Sequence, residues 1–425
     1  MIQGTSHTGA AVMVALISSA PVALQAGFAD WPQLWGPRGT AAMEEPRSGA
    51  PGLRELWRRP VGSGFSGVSV EGERGYTGES DGKNDYAIAF DVKTGRTLWR
   101  TPLGETYRGH DGSRDGPIAT PAVGGGRVFM AGPFGLLVAV DAATGREVWR
   151  HDLPAEFQAK LPFYGFGASP VLDDGRVVVQ VGGAEKSGLL AFDAATGRLA
   201  WEVRPSETKG DSAGYTMAAP ASIAGVRQLV AVGHDRVFAV NPAGGSLLWS
   251  HSLAESEEPT RAPLVLDDGQ VVVSRFADTR LLAIARPGGE WRVSEVWRSP
   301  RLKGTYSPNV HEASSLFGFS GQYLVCLDVK TAEPRWRHKA NAGTLIRVGR
   351  LLVVLGEQSG MLRLVEAAPD AYRVAAEAAA LNPGAQSSTG PSYAGGRIFV
   401  RNTEEMVAFV VDDGPGRAAG QGARP

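Results

Sequence analysis

The sequence predicts an all-β fold, an eight-bladed β-propeller of four-stranded antiparallel blades whose ring is closed by an N-terminal strand. Three observations carry that expectation. A Trp-ended motif recurs at nearly even spacing, and the stretches between its copies read as short apolar strands punctuated by Gly-rich turns. An orphan outer-strand pattern also stands ahead of the first repeat, while the last repeat lacks one.

The repeat is apolar-x-Asp-x-x-Thr-Gly-x-x-x-Trp. It reads AFDVKTGRTLWR at 89–100, AVDAATGREVWR at 139–150, AFDAATGRLAWE at 191–202, AVNPAGGSLLWS at 239–250 and CLDVKTAEPRWR at 326–337. Trp follows Asp by eight residues in Asp91/Trp99, Asp141/Trp149, Asp193/Trp201 and Asp328/Trp336, and Asn241/Trp249 keeps the spacing. Two degenerate copies complete the series, one with a longer turn before Trp297 and one with Val374 at the Trp position. Tryptophans 99, 149, 201, 249, 297 and 336 lie 50, 52, 48, 48 and 39 residues apart, a period that suits a four-stranded blade.

Within each unit, runs such as ATPAV, GRVFMAG, LLVAVD and EVWRHD have the length and apolar pattern of strands. The Asp carboxylate can accept backbone N–H groups two residues on, and the Gly supplies a positive φ that closes the turn. Pro121, Pro170, Pro220, Pro263 and Pro308 stand at inner strands, whose free edge tolerates a missing N–H. The Trp belongs to the outer strand, placed to dock between blades. Seven such outer positions run from 99 to about 374, followed by three strands without a fourth: SSTGPSYAG, GRIFVRN and EEMVAFVVD. LRELWRRPVG at 53–62, with Trp57, supplies the missing strand and removes an exposed sheet edge. Seven blades, with one degenerate unit absorbed into a loop, is the rival count.

The composition agrees. Gly numbers 56 of 425 residues, close to twice the usual ~7%, beside 27 Pro and 10 Trp. Lys and Arg number 43 against 44 Asp and Glu, so no basic excess marks a nucleic-acid binder. The single cysteine, Cys326, excludes an internal disulfide and any Cys-based metal site. Residues 10–24, AAVMVALISSAPVAL, suit the apolar core of a signal peptide and are short for a membrane span. Gly27-Phe28-Ala29 offers cleavage before Asp30, with Ala26 a second candidate, and no Cys follows to take a lipid. The expected organisation is a signal peptide at 1–29, an extended leader at 30–52, a propeller at 53–411 and a disordered tail at 412–425. The expected setting is periplasmic or secreted, with the chain a monomer and not an integral membrane protein.

The repeat resembles the pyrroloquinoline-quinone-like (PQQ-like) propeller repeat, shared by quinoprotein alcohol dehydrogenases and BamB-type outer-membrane assembly scaffolds. From Trp31 to about Val411 the chain is similar to exported PQQ-binding-like β-propeller repeat proteins. WPQLWGPRGT at 31–40, DGPIATPAVGGGRVFMAG at 115–132, GFGASPVL at 165–172, GVRQLVAVG at 225–233, VWRSPRLKGTYSPNV at 296–310 and YAGGRIFVRNTEEMVAF at 393–409 carry the likeness. In the dehydrogenases, the resemblance implies PQQ on the propeller axis, held between a Trp ring and an adjacent-cysteine disulfide. Acidic and amide side chains there hold calcium, and an Asp acts as base. This chain departs from that pattern, because Cys326 alone cannot form the disulfide. Soluble sugar-oxidising quinoproteins also lack it. Seven tryptophans (57, 99, 149, 201, 249, 297, 336) hold repeat anchors, Trp31 and Trp35 belong to the leader, and Trp291 to a turn, so none is marked as axial.

Other chemistry leaves little trace. His151, His251 and His338 each follow an outer-strand Trp, His234 and His311 sit in turns, and no metal-ligand spacing appears. The GGG at 124–126 precedes a strand and reads as a hairpin rather than a phosphate loop. Asp173-Asp174 and Asp267-Asp268 are each followed by Gly and read as turns. Two connections between blades are long, 103–117 and 153–167. They are expected to bring His110, Asp111, Arg114 and Asp115 near Phe163, Tyr164 and Phe166 at the channel mouth, with Tyr215, Arg261 and Tyr306 in similar places on later blades. A rim bearing Tyr and Arg suits a protein or peptide partner in the envelope, and solvated loops are the plain alternative. The functional expectation is a binding scaffold without cofactor, and the alternative is a PQQ- and calcium-dependent dehydrogenase of an alcohol or sugar.

Overall fold

The computed structural model describes residues 30–45, 50–109, 116–208, 215–253, 260–303 and 306–412. The expected signal peptide and residues 413–425 of the expected tail lie outside them. Eight four-stranded antiparallel blades, one of them extended by a fifth, parallel strand, form the ring of an eight-bladed β-propeller. In chain order, blades 1 to 7 span residues 69–105, 122–152, 171–207, 219–252, 264–299, 310–339 and 343–379. Blade 8 takes three strands from 392–412 and its outer strand, Gly52–Pro60, from the start of the chain. Leu53 pairs with Val411 and Arg58 with Val407. The ring therefore closes by covering the edge that Glu405–Asp412 would otherwise expose. Leu153–Phe157 is a one-turn helix between blades 2 and 3. No described helix is long and apolar enough to cross a membrane.

The repeat residues are the joints. Six of the seven outer-strand indoles donate their N–H to the turn of the following blade: Trp57 to Val92 O at 2.9 Å, Trp99 to Ala142 O at 3.0 Å, Trp149 to Ala194 O at 3.1 Å and Trp201 to Pro242 O at 2.9 Å. Trp297 and Trp336 reach Val329 O and Ala368 O in the same way, each at 2.9 Å. Trp249 turns instead to Gln228 Oε1, at 2.6 Å. The receiving turn is shaped by its Asp. Asp91 Oδ1 accepts from Lys93 N, Thr94 N and the Thr94 hydroxyl, and Asp141 does the same with Ala143 and Thr144. Gly95 then takes a φ of 72°, and a Cβ there would meet the Trp57 ring at 2.7 Å. The glycine thus serves both the turn and the close approach of the indole.

Blade 7 corrects one sequence assignment. A bulge after Val374 puts Ala376, opposite Leu364, in the Trp register, while Val374 itself is 42% exposed. The missing indole has a structural reason. Blade 8 draws its third and outer strands from opposite ends of the chain, so it offers no turn to receive one.

The leader is not a spacer outside the ring. Residues 30–45 cross the axis and bind the inner strands of several blades. Trp31 exchanges backbone hydrogen bonds with Val70 of blade 1 at 3.0 and 2.8 Å. Pro32 O accepts from Val123 N of blade 2 at 2.8 Å, and Gln33 Oε1 from Leu172 N of blade 3 at 3.0 Å. Ala42–Met43 then adds a parallel strand to Arg347 and Val348 of blade 7, and Glu45 accepts from the Tyr393 hydroxyl of blade 8. Trp31 and Ala41 are wholly buried, and the leader's apolar residues join the core of blades 7 and 8. The segment plugs the propeller axis.

Candidate functional site

The alternation of strands sorts the loops onto two faces. Hairpins between inner and second strands, and the Asp-x-x-Thr-Gly turns, share one face, here the hairpin face. Loops between second and third strands, and connections between blades, share the other, the connection face. The plug divides the channel accordingly.

On the connection face the axis narrows to a cavity of about 90 Å³, floored by Leu34 and Trp35 of the plug and walled by Phe65, Tyr164, Tyr215 and Tyr306. Trp35, placed in the leader by sequence and not marked as axial, floors this cavity. Gly390 packs directly against its ring, where a Cβ would come within 2.5 Å. Around the cavity the aromatic side chains form a continuous series. Phe134 meets Tyr107 edge-on at 5.4 Å, and Tyr107 donates to Phe163 O at 2.6 Å. Phe163 contacts Tyr164 at 4.7 Å, and the Tyr215 hydroxyl accepts from Tyr164 N at 2.8 Å. The series therefore links blades 2, 3 and 4.

Large apolar side chains are also exposed there. Phe134, Leu161, Phe163, Phe276 and Tyr306 are each 40–51% accessible, and all lie on connection-face loops. The other exposed large apolar residues, Leu98, Val148, Leu247, Val296 and Val374, sit singly on outer strands. Phe134, Phe163 and Tyr306 stand at the aromatic series or the cavity, and exposed apolar groups gathered in this way mark contact sites, whereas scattered residues do not.

Of the residues marked by sequence, Tyr164, Tyr215 and Tyr306 meet at the cavity, and Phe163 stands exposed beside them. Two others do not. Phe166 is buried between blades 2 and 3, beneath Gly135. Arg261 is buried at the joint of blades 5 and 6, donating to Asn309 Oδ1 at 3.4 Å, Lys303 O at 3.2 Å and Phe319 O at 3.3 Å. Burial pushes its pKa down to about 9. It acts as a clamp rather than a rim residue. Arg401 plays the same part between blades 8 and 1, donating to Thr77 Oγ1, Gly78 O, Gly62 O and Gly64 O. His110, Asp111, Arg114 and Asp115 lie outside the described residues.

Sequence reasoning missed Trp35, Tyr107, Phe134 and Phe276. Phe134 and Phe276 follow second strands, as GPFG at 132–135 and RFAD at 275–278, and an aromatic at that loop position is the signal that could have found them.

The hairpin face opens into a wider basin of about 970 Å³. Its lining mixes apolar residues with charged ones, Arg38, Glu44, Asp173, Arg227, Glu312 and Arg347 among them.

Among the described residues, two features bear on a quinone or metal at the axis. No charged side chain lines the aromatic cavity to meet the quinone's carboxylates, and no group of three or more His, Cys, Asp or Glu could hold a metal ion. The plug's own backbone takes the axial positions. Cys326 is a lone thiol inside blade 6, pushed up to about 11 by burial.

Comparison with known proteins agrees with the fold. The family model described as outer membrane protein assembly factor BamB matches residues 83–338. The BamB of Burkholderia pseudomallei is 24% identical over 309 residues, covering 72% of this chain and 64% of its own length. The quinohemoprotein alcohol dehydrogenase ADH-IIG of Pseudomonas putida is 32% identical over 117 residues, covering 27% of this chain and 16% of its own. The chain thus spans less than two thirds of each of these relatives. The quinohemoprotein alcohol dehydrogenase of Comamonas testosteroni superposes with a TM-score of 0.68 at 14% identity, covering 90% of this chain and 80% of that one.

Proposed function

This chain belongs to the family described as outer membrane protein assembly factor BamB, and from that premise we propose that it is a non-catalytic scaffold of the cell envelope. It is exported, acts as a monomer, and binds a protein or peptide partner through the aromatic patch of its connection face.

The observation that carries this reading is the aromatic series from Phe134 through Tyr107, Phe163 and Tyr164 to Tyr215 beside the narrow tyrosine-walled cavity, with Phe134, Phe163 and Tyr306 exposed. Rigid aromatic side chains on a fixed scaffold lose little entropy when they dock, and they anchor protein interfaces. Two features support a role without PQQ. The aromatic cavity has no described charged lining, and the leader fills the axis. The sequence of residues 10–24 supports export, as does the outer-membrane setting in the name of the relatives.

The test replaces Phe163 with a photo-crosslinking amino acid in cells and uses Val374, on an outer strand, as control. Discrete adducts at 163 that vanish with Tyr164→Ala/Tyr306→Ala, and none at 374, are expected. Equal adducts at both positions would overturn the patch as a docking site. Purified protein given PQQ and calcium is expected to show neither bound-quinone absorbance nor dye-linked oxidation of alcohols or sugars. Turnover there would establish the dehydrogenase reading instead.

A further inference from the structure

The plug binds the inner strands unevenly. Among the described residues its main-chain or side-chain hydrogen bonds reach the inner strands of blades 1, 2, 3, 7 and 8. None is made to the inner strands of blades 4, 5 and 6, Ala219–Ile223, Leu264–Val265 and Val310–Glu312. Those three edges wall the basin on the hairpin face. A strand edge with unused N–H and C=O groups is a template for an added strand. The molecule supplies its own precedent, for Ala42–Met43 adds to the inner edge of blade 7 in this way.

The charge of the basin selects the guest. Its guanidinium groups are already engaged: Arg38 with Glu44, Arg347 with Glu44 and Glu312, and Arg227 with Asp173. The carboxylates are in excess. Asp267 lines the basin with no ion-pair or hydrogen-bond partner among the described residues, and Asp174 has only Arg176 at 3.8 Å. Asp173 is the most telling. It is 5% exposed and lines the basin, and its Oδ2 is buried without a hydrogen bond. Its one ion-pair partner, Arg227, reaches Oδ1 from a side chain that is 62% exposed and leaves Oδ2 unpaired.

The shape selects further. Asp267 and His311 are shared with a second cavity of about 460 Å³ that continues outward over Asp268 and Gln270 between blades 5 and 6. The depression is therefore elongated and leads from the axis to the rim. It suits an extended chain better than a compact ligand.

We infer that the hairpin-face basin is a second binding site, which takes an extended, lysine- or arginine-bearing peptide segment along the inner edges of blades 5 and 6. Main-chain hydrogen bonds to those edges give affinity. Asp173, Asp174 and Asp267 receive the cationic side chains. The site lies on the opposite face from the aromatic patch, so either can fail without the other.

The test uses fluorescence anisotropy on the purified chain, with a labelled seven-residue peptide alternating lysine with valine and the same peptide with glutamate for lysine. The lysine peptide is expected to bind one-to-one, weakening by about ten-fold between low and 0.3 M salt as screening sets in. The glutamate peptide is expected not to bind. Asp173→Asn/Asp267→Asn should weaken the lysine peptide by about ten-fold or more, and Asp267→Asn alone, in an exposed turn, by a smaller factor with the fold intact. Tyr164→Ala/Tyr306→Ala should leave it unchanged. Equal affinity for both peptides, or an Asp267→Asn variant and a folded double variant that both bind as wild type, would overturn the inference.

Discussion

The indole of Trp57, near the start of the propeller, donates to the carbonyl of Val92 at 2.9 Å and lies flat on Gly95. It also meets Phe90 of blade 1 edge-on at 5.7 Å and Phe399 of blade 8 at 6.2 Å. One side chain on the first outer strand therefore joins the last blade to the first, with the same chemistry that Trp99 and Trp149 use elsewhere.

Removing that indole opens the ring at its seam. Trp57→Ala is expected to cost about 3–5 kcal/mol, the range for a large aromatic deleted from a packed site. Trp57→Phe keeps the apolar contact and loses the hydrogen bond, at about 1 kcal/mol. Urea unfolding of the two variants checks the order, and equal losses would show that packing contributes nothing at this joint.

Trp31 tests the plug. It is 1% exposed and hydrogen-bonded through its backbone to Val70, and the ring covers Gly36. Trp31→Ala is expected to destabilise by about 3–5 kcal/mol and to raise amide exchange at Val70 and Val123, whose partners are Trp31 and Pro32. A variant as stable and as protected as wild type would mean that the leader is dispensable to the ring.

Acid should loosen the joints in a defined direction. Donation from the Thr144 and Thr196 hydroxyls, and then from the backbone N–H groups of the same residues, holds Asp141 and Asp193 below the ordinary carboxylate range. Their folded pKa lies below the unfolded one, so the stabilisation is complete above the unfolded value of about 3.9 and is lost as pH falls through the lower folded value. Urea midpoints of the wild type are expected to drop between about pH 5 and pH 2. Asp141→Asn/Asp193→Asn should begin lower at pH 7, fall less, and converge with wild type in acid.

Cys326 offers a clean reporter. It is fully buried in a middle strand, opposite Trp336, and its thiol is pushed up to about 11 by burial. A thiol reagent at pH 8 is expected to leave the native chain unlabelled and to label it at the rate of unfolding in urea. Rapid labelling of the native protein would contradict the full burial of Cys326 in blade 6.

Much of this architecture is legible in the sequence because it is local and repeated. Asp, Thr, Gly and Trp stand at fixed offsets, so their turn and indole joint recur visibly at Asp91/Trp99 and Asp141/Trp149. Even the closing strand shows itself, since Trp57 lacks a repeat of its own. What fails is whatever depends on contacts far along the chain. The leader has no period, and nothing in WPQLWGPRGT says that Gln33 will cap Leu172 or that Ala42 will pair with Arg347. A bulge displaces the Trp register of blade 7 from Val374 to Ala376, and such one-residue shifts are invisible to spacing alone. Arg261 misleads because a connection-face position reads as exposed, whereas its guanidinium turns inward to Asn309 and the Phe319 carbonyl.

Closure by the opening strand also sets a timetable. Gly52–Pro60 leaves the ribosome early yet pairs with residues 405–412, and Ala42–Met43 waits for Arg347 and Val348. Contacts of such sequence separation form slowly. The first strand of the propeller to be made is thus the last to come to rest, and until residues 405–412 emerge it travels without its mate, the interval in which unpaired strand edges are exposed to misassembly.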